Sequence, residues 1–322
     1  MYSKKQPISS LKENERVEDI FVVKIKKGLN PYSNGFYFHL LLSDAEGGNI
    51  DYKYWGDKSG AVKQLYDSIR PDSVLLVQGR TALFQGSLQI STNPPDAVTV
   101  LQPNEFDPAQ FIKPAQRDIN EMVGEMKAHI DAVQDQGIKR LLEHIFQGSL
   151  LDKFSRHPAA IEIHHNWTGG LLEHCLQMIS YCLTSKKLFP SLDQDLLVAG
   201  CLLHDIGKLE EIEVTTRIKG TKDGMLRGHI SIGVEMVSKA MDQLNTQPET
   251  RSKLLHIILS HQGHKHYGSP VEPMFPEAAA IYWADESSAK LAELAEFVKF
   301  GKKNTEDDFM YNRRQARNIY LH

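Results

Sequence analysis

Six side chains of metal-ligating type interrupt segments that otherwise read as apolar, core-facing helices: His174, the adjacent pair His204 and Asp205, His229, His261 and Asp285. Inside a core an unbonded imidazole or a lone carboxylate is costly, so the set requires an explanation. His204-Asp205 closes the apolar run 196–203 and is followed by Ile206-Gly207-Lys208. His174 shares a helical face with Leu171, Cys175 and Met178, and Asp285 breaks a stripe made by Ile281, Tyr282 and Ala289. His229 follows Arg227-Gly228, and His261 ends the run 254–260 just before Gly263. Any one of these histidines is readily satisfied by a backbone carbonyl. The set is not, because two buried aspartates also need partners and Lys208 is the only nearby basic residue. A divalent cation held by imidazole and carboxylate meets that demand. The donor mixture suits Mn²⁺, Fe²⁺, Co²⁺ or Zn²⁺, with Mn²⁺ put first.

The elements that must position these ligands are helices. From residue 117 onward the apolar spacing is helical, with helices expected at 117–147, 170–185, 194–204, 230–243, 251–261 and 276–300. Helices from distant parts of the chain each bring one ligand to a common interior point, as in bundle-type metal sites. The first hundred residues read differently. Strands are expected at 17–26, 36–43 and 49–55, then an amphipathic helix at 57–70, then strands at 74–82 and 88–100, with a polar loop at 27–35 and a turn at 44–48. Three strands, a helix and two strands is the order of an OB-fold, a small five-stranded barrel. The expected fold is therefore multidomain, α and β: an OB-fold at 1–102, a proline-containing linker at 103–116, an all-α domain at 117–300 and a polar C-terminal tail at 301–322.

Composition sets outer bounds. A chain of 322 residues with a net charge of −4 has no global pull toward nucleic acid, so any such binding must come from a local patch. On the expected second and third strands, Tyr37, His39, Lys53 and Trp55 offer base stacking, and the first loop adds Lys24, Lys26, Lys27 and Tyr32 for phosphate contacts. Phe36, Phe38 and Tyr52 are assigned to barrel packing, and a merely solvated loop is the alternative for Lys26-Lys27. The three cysteines, Cys175, Cys182 and Cys201, are too far apart in sequence for a zinc cluster and read as buried thiols of a reducing compartment. No apolar run is long enough to span a bilayer and the polar Met1-Tyr2-Ser3-Lys4-Lys5 start lacks signal-peptide character. A cytoplasmic protein without membrane contact is expected, and its oligomeric state, homo-oligomer or monomer, stays open.

The string His204-Asp205-Ile206-Gly207-Lys208, with the lone His174, the later histidines and Asp285, resembles the HD-domain phosphohydrolase superfamily. That resemblance implies two metals per chain: one held by His174, His204, Asp205 and Asp285, the other by Asp205, His229 and His261, with Asp205 shared and catalytic. It also implies an attack on a phosphodiester, for which Lys208 would meet the developing phosphoryl charge. A lysine facing water is the alternative. The pairing of an OB-fold with such a domain resembles the YhaM-type 3′→5′ exoribonucleases over nearly the whole chain. Further strings carry that likeness: His164-His165-Asn166-Trp167, Arg227-Gly228-His229-Ile230, Ser260-His261-Gln262-Gly263 and Gly268-Ser269-Pro270. The implied activity is metal-dependent 3′→5′ hydrolysis of single-stranded RNA to nucleoside 5′-monophosphates, with single-stranded DNA as an open second substrate. The chain departs from the family at Gln262, where a second consecutive histidine is usual. His264 and His266 are read as loop residues rather than replacements. His165, with His164, is a candidate proton donor to the leaving oxygen, or else a structural pair bonding loop carbonyls. The rival readings are a phosphohydrolase acting on nucleotides or cyclic dinucleotides, and an OB-fold nucleic-acid-binding protein with a structural metal site.

Overall fold

A computed structural model describes residues 1–46, 48–161 and 165–322. Gly47, in the expected turn at 44–48, and His164 lie outside the described residues. The chain divides into two compact units, Met1–Pro114 with Val214–Arg217, and Ala115–Glu213 with Ile218–His322.

The first unit is strand-rich. Its elements are β1 (Arg16–Tyr32), β2 (Gly35–Ser43), β3 (Asn49–Trp55), α1 (Gly60–Ser68), β4 (Val74–Phe84), β5 (Ser87–Thr92) and β6 (Val98–Val100). Sheet order is β1-β2-β3-β5-β4-β6, and β1 also pairs with β4, Arg16 to Arg80 through Val22 to Val74. The β3–β5 pairing is parallel and the others are antiparallel. This is the connectivity expected of an OB-fold. Irregular register between Val23 and Ile25 and again between Lys26 and Leu29 bends β1, so its first half serves β4 and its second half serves β2. Period-two alternation sends Phe38, Leu40 and Leu42 inward against Ile50 and Tyr52, and leaves Tyr37 and His39 on the outer face.

Three sequence expectations need correction here. The polar loop at 27–35 is instead the second half of β1, followed by a two-residue turn, because its backbone pairs in register with β2 as far as Tyr32 to Gly35. The strand at 88–100 is two strands separated by Pro94 and Pro95, which have no N–H to donate to a ladder. Phe36, assigned to the barrel interior, is 38% exposed: it shares a face with the buried Phe38 but lies at the start of β2, beside the turn.

The second unit is helical. A helix expected at 117–147 is in fact α2 (Ile119–Asp131) and α3 (Gln136–Ile145), and α4 (Gly148–Arg156) follows at once. Asp118 caps α2 by accepting from the Glu121 N–H, and Asp135 restarts the chain by accepting from Gly137 and Ile138. Then come α5 (Gly170–Leu188), α6 (Gln194–Leu203), the single turn α7 (Lys208–Glu211), a short hairpin β7 (Ile212–Val214) and β8 (Ile218–Gly220), α8 (Lys222–Leu244), α9 (Pro248–Ser260) and α10 (Pro276–Asn304). One continuous core runs through this unit, from Met122 and Leu142 through Leu171, Met178, Leu197 and Leu202 to Ile258 and Ile281. Cys175, Cys182 and Cys201 are buried free thiols within it. Residues 301–322, expected as a tail, complete α10 and form an antiparallel hairpin of β9 (Phe309–Asn312) and β10 (Arg317–Tyr320). Among the described residues no helix is long and apolar enough to cross a membrane.

Candidate metal centre

Four helical elements and one turn converge on one point. His174 lies in the first turns of α5, His204 follows the last residue of α6, and Asp205 comes next, before α7. His229 follows Gly228 in α8, where a backbone φ of 72° interrupts the helix. Glycine tolerates that conformation at little steric cost, and the kink re-aims the helix one residue before the ligand. His261 caps the C-terminal end of α9, and Asp285 lies in α10. Gly207 makes the approach of α7 to α8 possible: a Cβ there would stand 1.9 Å from the His229 carbonyl oxygen.

The ligand atoms fall into two triads. In each of them, His174 with His204 and Asp285, and Asp205 with His229 and His261, the donor atoms lie within 4.8 Å of one another. His174 Nε2 is 3.2 Å from Asp285 Oδ1. Asp205 joins the triads. Its Oδ2 is 3.2 Å from His204 Nε2, and its Oδ1 is 3.5 Å from both His229 Nε2 and His261 Nε2.

Each imidazole is oriented from its far side. His204 Nδ1 donates to the Cys201 carbonyl at 2.9 Å and His261 Nδ1 to the Ile258 carbonyl at 2.8 Å. His229 Nδ1 donates to the Glu211 carboxylate, at 3.1 Å to Oε2. Ser288 Oγ gives its hydrogen to Gln177 Oε1 at 2.8 Å and so accepts from His174 Nδ1 at 2.9 Å. These far-side bonds turn Nε2 of all four rings toward the centre, the atom a metal would take. Burial pushes His261 down to about 4, so its ring is neutral at physiological pH.

The residues fit a divalent cation. His204 Nε2 and Asp205 Oδ1 are buried and find no hydrogen-bond donor or acceptor among the described residues. Such atoms are rare and costly unless a cation or another partner serves them. Burial opposes ionisation of Asp205 and of Asp285. Lys208 and His204 nonetheless hold Asp205 well below the usual carboxylate range, and His174 does the same for Asp285. Both carboxylates are therefore charged. Lys208 Nζ lies 2.5 Å from Asp205 Oδ2; burial would lower its pKa, but the Asp205 charge raises it, so it stays an ammonium. A cleft of about 240 Å³ opens here, lined by Asp205, Lys208, His229, His261 and Asp285 and also by Tyr267 and Glu286.

Residues 171–290 match the HD domain. The match spans all six candidate ligands, and it supports a metal-dependent phosphohydrolase. Among solved structures, the chain is similar to the second OB-fold domain of replication protein A from Methanococcus maripaludis, at 18% identity over 30% of this chain and 94% of that one, TM-score 0.25. It is also similar to a replication factor A related protein from Methanobacterium thermoautotrophicum, at 19% identity, 31% and 93% coverage, TM-score 0.26. A replication protein A heterotrimer bound to single-stranded DNA matches at 20% identity over 37% of this chain, TM-score 0.25, and only 29% of that chain is spanned.

The other expected residues are placed as follows. His165 is fully buried, its ring 5.3 Å from that of His174, and its Nε2 donates to Gln177 Oε1 at 3.2 Å. Gln262 donates its amide to His229 Nε2 at 3.3 Å. His264 stacks on His266 and sits 3.4 Å from Glu272, in neither triad. On the first unit, Tyr37 pairs across the strands with Trp55, and His39 with Lys53, so these four share one outer face. The Tyr37 and Trp55 rings stack at 4.7 Å, and Lys53 sits over Phe84 at 4.2 Å. Lys27 and His39 both bind Asp51, at 3.0 and 2.6 Å. Lys26 is turned away: its ammonium binds the Tyr66 and Ile69 carbonyls at the end of α1. Sequence reasoning missed Glu211, Ser288 and Gln177, which orient the candidate ligands, and Tyr267 and Glu286, which line the cleft. Ser288 carried a signal, since it follows Asp285 by three residues on the same helical face.

Proposed function

We propose that the second unit is a two-metal phosphodiesterase and that the chain trims single-stranded RNA from its 3′ end, releasing nucleoside 5′-monophosphates. The observation that carries this is the Asp205 carboxylate, with one oxygen toward His204 and the other toward His229 and His261. A shared carboxylate between two imidazole-containing triads suits a pair of divalent ions, Mn²⁺ foremost. When bound, such ions lower the pKa of water to supply the nucleophile and neutralise phosphoryl oxygens. The chain's own residues do the rest. His174, His204, His229 and His261 are held with Nε2 inward, and Asp205 and Asp285 supply the anionic charge. Lys208, whose side chain is 14% exposed, turns its ammonium toward the cleft, where phosphoryl charge develops.

The first unit supports a single-stranded nucleic-acid partner through its own chemistry. Tyr37, Trp55, His39 and Lys53 give an outer strand face with stacked rings and cations, a sequence-tolerant platform for bases and phosphates. Lys27 belongs to the same face, while Lys26 serves α1. Nucleotide hydrolysis remains the second reading, supported by the small volume of the cleft, about 240 Å³.

The test uses RNA labelled at its 5′ end, incubated with the chain and Mn²⁺, with and without chelator. A ladder descending from the 3′ end that disappears with chelator and with Asp205→Ala is expected. An uncut strand beside a hydrolysed mononucleotide would transfer the activity to the second reading.

A further inference from the structure

The metal cleft adjoins a second, larger groove. Tyr267 and Glu286 line both, and the groove, about 700 Å³, runs on along Lys290 and Leu294 of α10 to Arg314 and Arg317 of the C-terminal hairpin. We propose that this groove holds the nucleotides immediately 5′ of the scissile bond, so that the hairpin is a substrate-positioning element rather than a tail. The inference rests on the phosphodiesterase reading of the cleft and adds the path of the strand.

Several observations carry it. The hairpin is built as a platform. Leu321 is fully buried, and a Cβ on Gly301 would stand 2.5 Å from its Cδ2, so strand and helix meet closely. Leu321 N donates to the Asp308 carbonyl at 2.9 Å, and the buried Asn312 accepts from the Arg314 and Gln315 N–H groups at 3.0 Å each. The turn carrying Arg314 is thereby fixed, and Arg317 opens β10 directly after it. Their charges face outward: Arg314 is 57% and Lys290 62% exposed, with their carboxylate partners at 3.7 Å to Glu293 and 2.5 Å to Glu286. Arg317 is bound only by the neutral Gln315 amide oxygen, at 2.8 and 3.1 Å, among the contacts of the described residues. Cations spaced along a groove that ends at a phosphodiester-cutting centre match a run of phosphates, and arginine binds them bidentately. Tyr267 and Leu291, both more than half exposed, offer flat apolar surface to bases.

Two measurements on the full chain test it. The first compares kcat/KM for an RNA octamer with that for a dinucleotide. The octamer-to-dinucleotide ratio should fall at least about tenfold in the double variant Arg314→Glu, Arg317→Glu, as for a loss of about 1.4 kcal/mol. An unchanged ratio overturns the proposal. The second places 4-thiouridine third from the 3′ end and irradiates it with the chelator-treated chain. Crosslinks in 290–294 or 309–320 are expected, and crosslinks confined to other segments overturn the groove. If the chain cuts neither RNA, the reading of the cleft fails, and the crosslink alone decides the groove.

Discussion

Asp205 Oδ1 lies 3.5 Å from His261 Nε2 while its other oxygen lies 3.2 Å from His204 Nε2, so one carboxylate faces two imidazoles delivered by different helices. The fold exists in large part to hold that relationship. α6 and α9 each end at a histidine whose Nδ1 is tied to a carbonyl of its own last turn, so each ring is aimed by its own helix terminus. Helix ends leave unsatisfied carbonyls, and these two serve as orienting acceptors.

His229 is aimed differently, by the Glu211 carboxylate at 3.1 Å. Glu211→Gln keeps the shape and removes the charge that favours the Nδ1–H tautomer. Mn²⁺ affinity of the second triad should weaken by about 10–100-fold. Calorimetric titration with Mn²⁺ reads this, and unaltered binding would leave Glu211 with a packing role only.

The histidine set gives stability a pH dependence. Burial lowers His157 to about 4, and its Nε2 donates to the Lys208 carbonyl at 2.9 Å. His261 is lowered likewise. The folded chain thus binds fewer protons than the unfolded chain between pH 6.5 and about 4, so stability falls as pH drops through that window. For His157 alone the full effect is of the order of 3 kcal/mol at its acid end. Urea midpoints of the metal-free chain should fall from pH 7 to pH 4.5, and His157→Gln should flatten the slope.

Gly207→Ala tests the close approach of α7 to α8. The added Cβ meets the His229 carbonyl at 1.9 Å, so the backbone must shift. A loss of about 1–3 kcal/mol and weaker Mn²⁺ binding are expected. Thermal denaturation with and without Mn²⁺ measures both; an unchanged Tm would mean that the two turns part freely.

On the first unit, Trp55→Ala should weaken binding of a labelled oligonucleotide by about 1–3 kcal/mol. Lys26→Ala should instead lower the stability of the unit, since its ammonium binds the Tyr66 and Ile69 carbonyls at 2.7 and 2.8 Å. Fluorescence anisotropy across a salt series and thermal melts separate the two effects. A larger binding loss for Lys26→Ala would return that residue to the strand-binding face.

How much of this was legible in the sequence follows from what each residue announces. His204, Asp205 and Asp285 were conspicuous because polar side chains broke apolar stripes, and burial makes such exceptions costly. Their far-side partners were not, because Glu211 and Ser288 are ordinary on a helix surface until the tertiary fold puts an imidazole beside them. The second half of β1 was misread for the opposite reason: Gly28, Asn30 and Pro31 have low strand propensity, and only pairing with β2 makes them a strand. Residues 301–322 looked polar because their anchoring is carried by few side chains, chiefly Ile319 and Leu321. His165 was read from its nearness to the ligand helix, and its burial could only be seen once the loop was folded.

In the proposed function Asp205 joins two metal positions in one hydrolytic site. The direct measurement counts Mn²⁺ bound per chain, by equilibrium dialysis, and cleavage of RNA in the same samples, for the parent chain and Asp205→Asn. Two ions and 3′-end trimming are expected for the parent, and at most one ion with no cleavage for the variant. Two ions and undiminished cleavage in Asp205→Asn would contradict that function.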